Sequence, residues 1–241
     1  MSNKVAIVVG GTSGIGLATA IAFRDAGHKT IIAGRNASTG EATAKENNFV
    51  FLPCDVTEAN GPAELISSVV SSYGQLDFAF NNAGWEGPAV PTDEITEDDW
   101  QTMINTKLSG VWRCIAAELA VMKKQGSGAI VNMAGNWGLV GFSNYASYCA
   151  AAHGIMGVTK ASAMEYAAQG IRVNAVCPGA VDAPMLDRMV GGSEEIKASF
   201  GQQLAIGRIC QPQEIANAVV WLCSEQASYV NGVGLTLDGG G

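Results

Sequence analysis

The chain has 241 residues, 48% of them hydrophobic, and a net charge of −8 from 14 basic and 22 acidic residues. That length and apolar content suit one domain with a large buried core, and the acidic balance argues against nucleic acid or anionic membrane as a partner. No run reaches the roughly 18 apolar residues of a membrane span. No basic and apolar leader pattern precedes the strand signal at Lys4 to Val9, so a cytoplasmic location is expected. The six cysteines form no CxxC pair and only two histidines accompany them, so no metal site is expected and the thiols read as small core residues in a reducing compartment.

Val5 to Val9 is a continuous apolar run ending in glycines, which predicts a strand buried on both faces. Ile15 to Asp25 follows with apolar residues at helical spacing. The strand signal returns at Thr30 to Ala33, Val50 to Leu52, Leu76 to Phe80, Ala129 to Asn132 and Ile171 to Val176. Helices are predicted over Gly61 to Ser72, Asp98 to Lys123, Ala146 to Ala168 and Pro212 to Cys223. Strand and helix alternating at this cadence predict parallel strands joined by right-handed crossovers. The expected fold is α/β, a single Rossmann-type domain over residues 1–241 whose doubly wound parallel sheet carries helices on both faces. Ligands of such sheets bind at the carboxyl ends of the strands. Within the domain, residues 183–205 read as a substrate-binding lid, flexible where Gly191-Gly192-Ser193 meets Glu194-Glu195.

Gly10-Gly11-Thr12-Ser13-Gly14-Ile15-Gly16 lies between the first strand and the first helix. Glycines there let the backbone turn sharply and approach a pyrophosphate, while the helix start offers free N–H groups. The second strand ends in Ala33-Gly34-Arg35-Asn36, with no acid to hold ribose hydroxyls. Arg35 suits a 2′-phosphate, which makes NADP(H) the expected cofactor; a solvated loop charge is the competing reading. Asp55, in Cys54-Asp55-Val56, suits an adenine amino group. The small residues of Asn81-Asn82-Ala83-Gly84 let the backbone lie beside the adenosine ribose.

Together these segments resemble the short-chain dehydrogenase/reductase family. The likeness rests on Gly10-x-x-x-Gly14-x-Gly16, Asp55, Asn81 to Gly84, Ile130-Val131-Asn132, Tyr148, Pro178-Gly179 and Leu237-Asp238-Gly239-Gly240, with Val9 where a threonine is common. It implies hydride transfer with a nicotinamide cofactor, whose binding extends to Pro178, Gly179 and Val181. It implies a homo-oligomer, dimer or tetramer, paired through the helices Asp98 to Lys123 and Ala146 to Ala168. It also implies a catalytic Asn, Ser, Tyr and Lys. Counted along this chain those positions are Lys107, Gly135, Tyr148 and Ala152, so only the tyrosine is kept; Ala183 stands where a threonine near the nicotinamide amide is usual.

A free tyrosine titrates near ~10 and needs a nearby cation to act as a base near neutrality. Lys107 lies on the apolar stripe Ile104, Leu108, Val111, Ile115, where a lysine is costly unless it is paired or lines a polar cleft. One reading has Lys107 replace the charge lost at Ala152 and act with Tyr148. Another has it snorkel to the surface, and a third makes it a Schiff-base amine. Trp85, Glu86, Gly135, Trp137, Phe142, Tyr145, Met185 and Met189 are candidates for the substrate pocket, with core or subunit packing as the competing role. Glu86 and Asp182 are candidate replacement acids, and His153 reads as packing or surface.

The expected function is NADPH-dependent reduction of a small molecule bearing an activated carbonyl or an iminium, acceptors that need less acid help than a plain ketone. The alternatives are a non-redox cyclase, isomerase or lyase in which NADP is structural or dispensable, and a protein that only senses NADP.

Overall fold

The computed structural model describes residues 4–240. Seven strands, β1 (Val5–Val9), β2 (Lys29–Gly34), β3 (Val50–Pro53), β4 (Phe78–Asn81), β5 (Gly128–Met133), β6 (Ile171–Pro178) and β7 (Gly234–Leu237), form one parallel sheet in the order β3-β2-β1-β4-β5-β6-β7. The chain winds outward from β1 to β3, then crosses back to β4 and winds the other way. Register places Val9 beside Asn81, so the loops after β1 and β4 leave the sheet together. Every residue of β1 is buried, as its unbroken apolar run requires.

On one face, α1 (Gly14–Asp25) and α9 (Pro212–Cys223) pack against each other and the sheet, with α2 (Ala37–Asn47) beside β2 and β3. Phe23, Phe80, Ile215 and Val219 form the core there. On the other face α3 (Gly61–Tyr73), α5 (Gly110–Gln125) and α6 (Ala146–Tyr166) bury Leu65, Val69, Ile115, Met122 and Ile155. Trp112 on α5 and Met164 on α6 remain exposed. No described helix is long and apolar enough to cross a membrane.

Four elements differ from the sequence pattern. Helix α2 carries no apolar stripe: its buried residues are Gly40 and Ala44, and a Cβ at Gly40 would stand 2.1 Å from the Phe51 ring. Strand β7 is short and half-buried, so it has no continuous apolar run. The single helix expected over Asp98 to Lys123 divides into α4 (Glu97–Met103), a π-helical segment (Ile104–Ser109) and α5. The expected flexible lid contains two helices, α7 (Pro184–Met189) and α8 (Glu194–Gln203), the second started by the Ser193 hydroxyl accepting from the Ile196 N–H.

One side chain joins β6 to the end of α9. The Arg172 guanidinium donates to the carbonyl of Leu222, to that of Ser224 at 3.1 Å and to that of Val230 at 3.5 Å. The Asn174 amide also donates to the Val230 carbonyl, at 2.9 Å. Arg172→Leu removes the guanidinium from all three carbonyls, of which Val230 keeps the Asn174 amide and Ser224 the Ala227 N–H. It should lower stability to chemical denaturation by roughly 2–3 kcal/mol; an unchanged denaturation midpoint would count against this role.

Candidate active site

At Gly10 the backbone has φ +78°, and a Cβ there would stand 2.9 Å from the Ala83 nitrogen. A Cβ at Gly16 would stand 2.0 Å from the Gly10 carbonyl oxygen, so the loop closes this tightly only with glycine at both positions. The Asn82 amide donates to that same carbonyl at 3.0 Å and pins the loop to the end of β4. Ser13, which precedes α1, makes no side-chain cap, so the first N–H groups of the helix are open to an anion. Thr57 donates twice to Asp55 Oδ1, at 2.9 Å from its N–H and 2.7 Å from its hydroxyl. Burial pulls the Asp55 carboxyl upward, but the Thr57 bonds and the nearby Arg35 outweigh it and hold the group below the ordinary range.

Gly10, Ser13, Asp55, Thr57, Asn82 and Ala83 line one cavity of about 640 Å³ that continues to Lys107, Gly135 and Tyr148. Arg35 is exposed at its edge. Thr12, Ile15, Val56, Gly84, Pro178, Gly179 and Val181 also line it. The close-packed glycines, the uncapped helix start and the length of the cavity fit a dinucleotide.

Tyr148 stands in the first turn of α6 and is buried. Gly135, just past β5, has φ +84° and ψ +159°, a region that glycine alone enters readily. A Cβ at Gly135 would lie 3.2 Å from the Tyr148 hydroxyl. Tyr148 and Trp137 meet nearly perpendicular with centroids 5.2 Å apart, and Trp137 stacks on Phe142 at 4.3 Å.

Lys107 is only 2% exposed, so the snorkelling reading is overturned. The π-helical segment carries it inward. Its Nζ stands 4.2 Å from the Tyr148 ring centroid and donates to the Met133 carbonyl at 3.5 Å. No salt bridge among the described residues involves Lys107. The cavity thus holds a desolvated ammonium with no carboxylate partner and with donors left for an incoming oxygen. Ala152 is fully buried one turn beyond Tyr148, in a cluster with Met103 and Ala151.

Three expected site residues stand outside the cavity wall. Gly16 packs under the loop, and Trp85 packs against the Tyr148, Ala151 and Ala152 cluster. Glu86 pairs with Arg188 of α7 through both carboxylate oxygens, one of them 2.8 Å from Nη2. That bond lowers the Glu86 pKa against the opposing effect of burial. Burial, with the Glu86 charge adding to it, raises the Tyr145 phenol. Asp182 is likewise engaged: Lys197 of α8 lies 2.8 Å from it and 2.6 Å from Asp187. Met185, Met189 and Tyr145 do line the cavity. His153 is exposed, its Nδ1 2.9 Å from the Cys149 carbonyl. No group of His, Cys, Asp or Glu among the described residues is arranged to hold a metal. Arg188, Phe200 and Leu204 are wall residues that the sequence did not mark, because contacts such as Arg188 to Glu86 span 102 residues.

A family model described as enoyl-(acyl carrier protein) reductase matches residues 9–241. The chain is 35% identical over 243 residues to 2,5-dichloro-2,5-cyclohexadiene-1,4-diol dehydrogenase of Sphingobium indicum, covering 100% of this chain and 97% of that one. Levodione reductase superposes with a TM-score of 0.94 at 32% identity, over 100% of this chain and 98% of its own. An actinorhodin polyketide ketoreductase solved with NADPH gives 0.94 at 35% identity, over 99% and 97%. With its parallel sheet, its glycine cradle and Tyr148 at the inner end of the cavity, the chain belongs to the short-chain dehydrogenase/reductase family of oxidoreductases.

Proposed function

We propose that this protein is an NADPH-dependent reductase of an activated carbonyl compound, working through a rearranged proton site made of Tyr148 and Lys107. The observation that carries the reading is the buried Lys107 ammonium, 4.2 Å from the Tyr148 ring centroid within the nucleotide cavity. The glycine loop, Asp55, the segment Asn82 to Gly84 and the segment Pro178 to Val181 would hold the cofactor, which supplies the hydride. NADP(H) is favoured by Arg35 at the cavity edge, by the absence of an acid from Ala33 to Asn36, and by the NADPH of the ketoreductase neighbour.

A carbonyl oxygen gains negative charge as hydride arrives and must be stabilised and protonated. Tyr148 supplies the proton. Lys107 opposes the charge on the phenolate left behind, from the neighbouring helix rather than from position 152. The same cation disfavours an iminium acceptor, so a carbonyl is the better match of the two. Gly135 offers no hydroxyl to the substrate oxygen, which leaves less acid help and favours an acceptor that is already polarised. The aromatic wall of Trp137, Phe142 and Tyr145 suits a flat ring system. Residues 183–205 act as the lid, with Arg188 and Glu86 holding it to the loop after β4.

Lys107→Met should cut kcat by about 10²–10³ on quinones or cyclic diketones while leaving NADPH affinity nearly unchanged, with nicotinamide absorbance as the assay. An unchanged kcat would sink the relay. A product of unchanged oxidation state would point instead to cyclase, isomerase or lyase chemistry. Arg35→Ala should weaken NADPH by about tenfold, as the loss of one exposed charge-assisted bond implies, and leave NADH as it was; equal losses for both would remove the NADP assignment. Gly135→Ser, which restores the family's residue, should lower both activity and melting temperature, because its Cβ would crowd the Tyr148 hydroxyl in a backbone region that suits only glycine. A gain in kcat there would show that the backbone relaxes freely.

A further inference from the structure

Behind the site lies a polar chain that the mechanism does not use. Glu118 on α5 is wholly buried. Its Oε2 accepts from the Asn81 amide at 3.0 Å; that amide's second hydrogen goes to Asn132 Oδ1 at 3.0 Å, and the Asn132 amide donates to the Thr159 hydroxyl at 3.0 Å. The chain therefore runs from α5 through the ends of β4 and β5 to α6. Two buried oxygens in it have no donor, Glu118 Oε1 and Asn81 Oδ1, and they belong to the two groups that already face each other. An ionised Glu118 would leave both oxygens bare. One proton on Oε1, donated to Asn81 Oδ1, closes both at once in a cyclic acid–amide pair.

We propose that Glu118 is held as the neutral acid and serves as a positioning residue, fixing through Asn81 and Asn132 the strand ends that present Asn82 to the glycine loop and the Met133 carbonyl to Lys107. Asn82 directly follows Asn81, and Met133 directly follows Asn132, in strands that pair Asn81 with Asn132. The groups facing Glu118 from β4, β5 and α6 are the neutral ones already named. On its own helix the titratable neighbour is Cys114, whose thiol burial pushes well up, with Glu118 adding to the effect. Helix α3 contributes the apolar Leu65, Ile66 and Val69 to the same cluster as Cys114.

Burial pushes the Glu118 carboxyl up to about 8, against the opposing Asn81 bond. In the unfolded chain the group titrates in the ordinary carboxylate range. Between that range and about 8 only the folded state keeps the proton, so stability falls as pH rises through that window and is level above it.

Glu118→Gln tests this directly, since its amide can donate to Asn81 Oδ1 and accept from Nδ2 as the neutral acid does. In infrared difference spectra near neutral pH the parent protein should show a protonated-carboxyl band that the variant lacks. The melting temperatures of the two should agree at pH 5 and diverge in the variant's favour as pH rises to about 8, then stay apart. NADPH affinity should fall above that pH in the parent but not in the variant. Glu118→Leu, which removes the pair, should weaken NADPH severalfold where it folds. The absence of the infrared band, or a melting difference independent of pH, would overturn the neutral acid. Glu118→Leu binding NADPH as the parent does would overturn the positioning role. The spectroscopic and melting arms use the protein without ligand, so they stand or fall separately from the reductase reading.

Discussion

The site depends on the pairing of β1 with β4, the point where the sheet reverses its winding. Parallel strands send their carboxyl ends the same way, and a reversal separates the loops that follow them, opening a crevice that needs no further carving. The Asn82 side chain spans that crevice to hold the Gly10 carbonyl. From this one join the rest follows in order: the cradle at the start of α1, the walls contributed by β5 and β6, and the cover formed by α7 where Pro184 lies against Gly14.

The inner end of the cavity shows how a helix defect places a charge. Lys107 lies in the π-helical segment, one wide turn packed beside α6, and its Nζ stands over the face of Tyr148. The protein accepts a desolvated cation there with one long hydrogen bond as its return. Such a cost is ordinarily met by a counter-ion, and no described carboxylate pairs with Lys107 here.

Much of the architecture was legible in the sequence, because buried parallel strands are written as short apolar runs and glycine loops as fixed spacings. Six of the strands and the nucleotide cradle were readable in this way. Helix α2 was not, since a helix resting on Gly40 and Ala44 has no stripe to read. Strand β7 was not, since a short, half-buried strand shows no run. At the site, Tyr148 and Lys107 were found by counting, but the depth of Lys107 was not fixed by it, since a lysine on an apolar stripe can turn in or out. The grip of Lys197 on Asp182 and Asp187, the pairing of Arg188 with Glu86 and the Glu118 chain join distant segments, and local spacing carries no trace of them.

Gly135 decides what the inner end of the cavity can tolerate. At its φ of +84° a Cβ would stand 3.2 Å from the Tyr148 hydroxyl, so a side chain enters this position only if the loop after β5 moves. The gap between that loop and the phenol is thus set by one dihedral angle and not by a packed side chain.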